Sequence, residues 1–365
     1  MTCFTQEHSL TCGLTNQLFE LATCLAISAK LGAKQFILPS ICSDGNWGLC
    51  YCSKSQQYST FFNLQRMKRL AKERFGITIY EYEESQTYLQ DVSEELFRLQ
   101  DNTLYLKPLS EAAEIIYDMS TKKKNYLEHG VLNIGFAWGR WKGDKFEEDM
   151  LYLTFFDLFY PSMAVKRVID DWAWKTKHFD SNGPLIVIHN QIPTSEGIYP
   201  GCQRTEINDY VSLITREMSL GKKTRVLLIG SGFELKTSES LRLSEFSSAH
   251  SIHVYSQSDI MRITADHQLH NSLAAFWIAI EADHFIATTC ESQFLSHIVT
   301  IRMLLGRPVC SLTDVTKSIH PNAYPSKFKN NGEYNGRVPY RFPHPYQGSL
   351  YTLEKCKFPL QNRIL

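Results

Sequence analysis

Apolar and polar positions along the chain fall into two alternating patterns. Leu18, Leu21, Ala22, Leu25, Ala26 and Ala29 recur at the spacing of one helix face. Gly32 follows as a helix-stopping glycine, and Gln35-Phe36-Ile37-Leu38-Pro39 then reads as a short buried strand closed by proline. Phe61–Phe75 predicts a basic amphipathic helix carrying Arg66, Lys68, Arg69, Lys72 and Arg74, most simply a solvated face. Ile77–Tyr80 predicts a strand, while residues 84–125 show mixed charge and only weak helical signals. After the aromatic run Tyr152–Tyr160, Pro161 introduces a helix whose apolar positions include Met163, Val165, Val168, Ile169, Trp172 and Trp174.

The second half has a regular strand-helix rhythm. Leu185–Ile188 is a continuous apolar run, as a strand covered on both faces requires. Further strands are predicted at Arg225–Ile229, Ile252–Tyr255, His284–Thr288 and Pro308–Leu312. Helices are predicted at Ile207–Met218, Leu269–Ile280 and Leu295–Leu305. Strands separated by helices of this length imply parallel pairing. The fold class expected is α/β, with two Rossmann-like domains. The turn cluster Asp180–Pro184 places their boundary, giving domains 1–180 and 181–320 and an irregular tail over 321–365.

Composition supports this and removes some alternatives. The 365 residues are 43% apolar, enough for a large core. Lys plus Arg and Asp plus Glu are 38 each, so a nucleic-acid partner held by phosphate neutralisation is disfavoured. No basic-then-apolar leader opens the chain, and the apolar window Leu18–Ala33 is broken by Glu20 and Lys30. No Asn-x-Ser/Thr acceptor occurs either. These signals point to a cytoplasmic protein without a membrane span. The 10 cysteines show no repeated framework and read as mostly reduced, small apolar residues. Cys42, Cys50 and Cys52 lack a fourth ligand at zinc spacing, so no metal is expected.

Ligands of parallel α/β sheets bind beyond the carboxyl ends of the strands. His189-Asn190-Gln191, Gly230-Ser231-Gly232 and the segment 288–296 fall there. The last contains Ser292, Gln293 and Phe294 and opens a helix, where free backbone N–H groups favour phosphate. Each has a plainer reading: Ser292 as an N-cap, His189 as a structural histidine. Gly230-Ser231-Gly232 lacks the third glycine of a dinucleotide fingerprint, and hydrolase-elbow, P-loop and zincin motifs are absent.

Taken in order, three segments carry a resemblance. Gly13-Leu14-Thr15-Asn16-Gln17 resembles the Gly-x-x-Asn-Gln loop of the fucosyltransferases. The helix from Ser162, the strand 185–188 and His189 resemble that family's approach to its His-x-Arg motif. Asp283–Ala287, Ser292-Gln293-Phe294 and Arg302 resemble its late strand, Ser-x-Phe and helix arginine. The layout is most similar to the protein O-fucosyltransferase branch, over about residues 12–315.

The resemblance implies a GT-B glycosyltransferase, two Rossmann-like domains facing a cleft. It implies transfer of fucose from GDP-fucose to a protein or glycan hydroxyl, with inversion and without a metal or other cofactor. Gly13, Asn16 and Gln17 would lie near donor phosphate or acceptor, His189 and Gln191 would be catalytic, and Gly230, Ser292, Gln293, Phe294 and Arg302 would bind donor. One position departs from the pattern: Gln191 stands where the family has arginine. A neutral amide cannot supply that charge to a departing diphosphate. Arg204, Arg302 or Lys222 would have to substitute, or the donor would differ, or the protein would be a weak or inactive binder of a sugar nucleotide or glycan. For the general base, Glu20 and Asp259 are the candidates.

Overall fold

Two five-stranded sheets, parallel throughout, form the frame of the computed structural model. It describes residues 2–4, 14–42, 55–81, 96–98, 109–122, 131–133, 153–177, 183–189, 224–230, 245, 252–256, 259–260, 268–287, 293–305, 307, 309–311, 333–334 and 338–339. The helix expected over Ile207–Met218 and most of the tail from 321 lie outside these. The chain divides into two units. The first is Met1–Arg167 with Asp266–Leu273 and Pro339–Pro345, and the second is the remainder.

In the first unit β1 (Thr2–Phe4) is central, flanked by β2 (Gln35–Leu38) and, on its other side, by Val131–Asn133. A two-residue strand, β3 (Ile41–Cys42), pairs antiparallel with β4 (Ser55–Gln56). The main sheet is completed by β5 (Thr78–Glu81) beside β2 and β6 (Leu96–Arg98) beside Val131–Asn133, which is β7. Helix α1 (Leu14–Lys30) buries Leu18, Leu21, Ala22, Leu25 and Ala26, the stripe read from sequence. It ends as expected: Gly32 sits at φ 67°, and the N–H of Ala33 bonds back to the Ser28 carbonyl at 3.0 Å.

A short helix, α2 (Tyr58–Phe61), precedes α3 (Leu64–Phe75), whose Asn63 side chain accepts the Arg66 N–H at 3.0 Å as an N-cap. Gly76, at φ 68°, closes α3. The basic face is solvated at Arg69, Lys72 and Arg74, but Arg66 departs from that reading. It pairs with Asp157 and lies 4.6 Å over the Tyr160 ring. The run 152–160 includes one turn of π-helix, Leu153–Leu158, whose Leu158 carbonyl accepts from the Tyr58 hydroxyl at 3.1 Å, and Phe159 just after it packs on Tyr58 and Phe62. Helix α4 (Leu109–Lys122) packs on α1.

The second unit follows the sequence reading closely. Helix α5 (Met163–Lys177) leads into β8 (Leu185–His189). Then come β9 (Arg225–Ile229), β10 (His253–Ser256), helix α6 (Gln268–Glu281), β11 (His284–Ala287), helix α7 (Gln293–Leu304) and β12 (Val309–Ser311). The sheet order is β10-β9-β8-β11-β12. Every residue of β8 is buried, which explains its unbroken apolar run. Counted within this unit, the order is 3-2-1-4-5, the Rossmann arrangement, and its direction of winding reverses between β8 and β11.

One chemical reading changes here. Cys24 is buried and in no disulfide, as expected. Cys42 is instead disulfide-bonded, with a partner whose side chain lies outside the described residues. No described helix is long and apolar enough to cross a membrane.

Candidate functional site

The winding reverses between β8 and β11, and ligands of this topology usually bind beyond the carboxyl ends of the strands at such a reversal. His189 is the last residue of β8 and lies in register with Ile229 of β9 and Ala287 of β11. Gly230 follows β9 at φ 115°, backbone that side-chain-bearing residues rarely adopt. Helix α7 begins six residues after β11 and places Phe294 against the imidazole. Their ring centroids are 5.9 Å apart and their planes 24° from parallel. Three segments far apart in sequence thus meet at one end of one sheet.

The polar character of that end rests on His189. It is 2% exposed, and its Nδ1 is buried without a hydrogen-bond partner. A buried polar atom with no partner costs about 1–3 kcal/mol, so its retention asks for an explanation. Desolvation lowers the imidazole pKa from 6.5 to about 3. The ring is therefore neutral at physiological pH. It can donate or accept a hydrogen bond but offers no positive charge to a phosphate, and it is too weak a base to take a proton near pH 7.

Other predicted site residues have side chains engaged in holding the fold. Gln17 is 1% exposed. Its Nε2 donates to the Cys42 carbonyl at 3.0 Å and its Oε1 accepts the Cys42 N–H at 2.8 Å. The side chain thus imitates a strand neighbour and pins β3 to α1. Arg302 is fully buried beneath the end of α6. Its Nη1 donates to the carbonyls of Ala279, Ile280 and Ala282 at 2.8, 2.9 and 2.8 Å. These are carbonyls that a helix terminus leaves open, and a cation suits the negative end of the helix dipole. They precede β11, so Arg302 serves the sheet end opposite His189.

Asn16 and Gln293 lie in the first turns of α1 and α7, with side chains outside the described residues. Gly13, Gln191, Ser292, Arg204 and Lys222 also lie outside them. Of the two base candidates, Glu20 is 2% exposed on α1. Asp259 accepts from the N–H and hydroxyl of Ser256 at 2.7 and 3.1 Å, as a turn-closing carboxylate does. Among the described residues, no three His, Cys, Asp or Glu side chains gather as a metal would require. One contributor was absent from the sequence reading. Phe276 of α6 meets the Phe294 ring at 5.7 Å and 68°. It sits in the apolar run Leu273–Ile280, where nothing distinguishes it from its neighbours.

Comparison with known proteins agrees with the fold. No family model matches the chain, and no curated protein sequence matches it. Solved structures do. The crystal structure of POFUT1 in complex with GDP-fucose aligns with a TM-score of 0.54 at 15% identity, over 85% of this chain and 97% of that one. POFUT1 with GDP aligns at 0.53 and 12% identity, with the same coverage. The apo form aligns at 0.52 and 14%, again with the same coverage. The chain therefore shares the α/β fold of POFUT1.

Proposed function

We propose that the protein is a GT-B glycosyltransferase that moves fucose from GDP-fucose to a hydroxyl of a protein or glycan. The observation that carries this reading is His189, a buried imidazole whose Nδ1 has no hydrogen-bond partner, at the switch point of a Rossmann-ordered sheet. The shared fold of POFUT1, solved with GDP-fucose and with GDP, supplies the ligand class. In this proposal residues 181–320 hold the nucleotide and residues 1–180 the acceptor. The acceptor oxygen attacks the anomeric carbon as the bond from that carbon to the diphosphate oxygen breaks. The configuration inverts, the acceptor's proton goes to a base, and GDP leaves without a metal.

Within that scheme His189 is a neutral hydrogen-bonding group for the donor. The backbone at Gly230 and at the start of α7, with Ser292, Gln293 and Phe294, completes the donor side. Gly13 and Asn16 lie toward phosphate or acceptor. Negative charge on the leaving diphosphate needs a cation, and Gln191 is not one. Arg302 is engaged by carbonyls, which leaves Arg204 and Lys222 of the three named substitutes. Gln191 itself favours a second reading, a weak or inactive protein that retains the nucleotide pocket. The cytoplasmic setting meets a contrary observation in the Cys42 disulfide, which favours an oxidising compartment.

A thermal-shift screen with GDP-fucose, GDP-mannose, UDP-sugars and GDP tests the site. A ligand at 100 times its Kd stabilises by about 2.7 kcal/mol, a shift of several degrees. GDP-fucose and GDP should raise the melting temperature, and His189→Ala should abolish the rise. If all these nucleotides leave it unchanged, the donor-site reading is wrong. Binding without release of GDP from GDP-fucose selects the inactive reading, and Gln191→Arg then tests whether the lost charge is the reason.

A further inference from the structure

Within the resemblance, Phe294 belongs to the segment that holds the nucleotide's diphosphate and base. Its surroundings give it different work. One face of its ring lies against His189 at 5.9 Å and 24°. Phe276 of α6 meets the same ring at 5.7 Å and 68°. The backbone of His189 is already held from both sides by its register with Ile229 and Ala287. Only the side-chain torsions of His189 remain free to vary, and they decide where its two nitrogens point. A stacked aromatic pair favours one such rotamer by about two- to tenfold.

We propose that Phe294 is a positioning residue, whose ring, backed by Phe276, holds the plane of His189 toward the donor and does not stack on the nucleotide base. The inference rests on the reading of this sheet end as the donor site. An imidazole that carries no charge at neutral pH works through direction alone. A hydrogen bond weakens steeply as it departs from linear, so a fixed ring plane matters more here than for a cation.

The test uses the full chain and two variants. Phe294→Leu keeps apolar bulk without the ring, and Phe294→Tyr keeps the ring. With GDP-fucose as donor, Phe294→Leu is expected to lower kcat about ten- to a hundredfold, the range for a misplaced catalytic contact. KM for GDP-fucose and the melting temperature should change little, and Phe294→Tyr should restore kcat. A rise in KM with weaker GDP binding and unchanged kcat would indicate base stacking and overturn the proposal. A second readout needs no substrate. The His189 ring protons carry the ring-current shift of Phe294, which Phe294→Leu should remove and Phe294→Tyr retain. An unchanged His189 signal in Phe294→Leu overturns the clamp whatever the activity. A changed signal in a protein without any response to GDP-fucose upholds the clamp and defeats the donor reading instead.

Discussion

Two buried side chains at opposite ends of the second sheet, Arg302 and His189, treat polarity in opposite ways. At the amino end, Arg302 is fully buried and gives three short hydrogen bonds to helix carbonyls. Beside it Asp283 accepts the N–H of Leu185 at 2.9 Å, fixing the start of β8. At the carboxyl end His189 is almost as deeply buried, yet its Nδ1 bonds nothing. Both ends carry residues of motifs that resemble a transferase site. Of Arg302 and His189, only His189 keeps a buried hydrogen-bonding atom without a partner. Buried polar groups whose partners lie within the protein maintain the fold, and those without partners are where a ligand has something to supply.

Four measurements can break or sharpen this contrast. The largest effect belongs to Arg302→Leu, which takes the Arg302 donor from the buried carbonyls of Ala279 and Ala282, while Ile280 keeps Arg307, and should lower stability by about 3–5 kcal/mol in urea unfolding. A loss of less than about 1 kcal/mol would mean that the amino end is not held as described. Gln17→Leu plays the same part in the first unit. It strands the N–H and carbonyl of Cys42, so a loss of about 2–3 kcal/mol is expected, with GDP affinity nearly unchanged. If GDP binding falls instead while stability holds, Gln17 returns to the list of substrate contacts.

The third is a pH dependence. The folded pKa of His189, about 3, lies below the unfolded value of 6.5, so between these limits the unfolded chain binds the extra proton. This contribution to stability is complete above pH 6.5 and is lost as pH falls toward 3, at up to about 1.4 kcal/mol per pH unit. Unfolding midpoints across that window should show this slope in the wild type, less steep in His189→Phe. The smallest effect is His189→Phe at pH 7. It replaces an unpartnered polar ring with an apolar one of similar shape, so stability should hold or rise by about 1 kcal/mol. Stabilisation by GDP should disappear. A large drop in stability would show that the imidazole is structural, and the contrast between the two ends would fail.

Much of the frame was legible before any coordinates. Leu185–Ile188 and Arg225–Ile229 are apolar because both faces of a central parallel strand are covered, so their strand character survives in composition alone. Gly32 and Gly76 mark helix ends because their left-handed conformation is cheap only for glycine. The first sheet was harder. Its central strand is three residues, Thr2–Phe4, too short to show any period, and it becomes central only through pairing with β2 and β7. Strands β6 and β7 are equally short and were missed for the same reason.

The candidate site divides along the same line. By itself the sequence determined the alternation of strand and helix, and with it the placing of His189 and Gly230 beyond strand ends. Those follow from local propensity and from burial, which each segment records in its own residues. It also held the motif residues Gln17, Arg302 and Phe294, without saying what each one touches. That was decided by tertiary structure. The Cys42 backbone that occupies Gln17 lies 25 residues away, and the Ala279 carbonyl that occupies Arg302 lies 23 away. The phenyl ring of Phe294 meets an imidazole more than a hundred residues earlier in the chain. A polar or aromatic side chain acquires its role from the partner it meets, and that partner is chosen by the packing of distant segments, which no local pattern encodes.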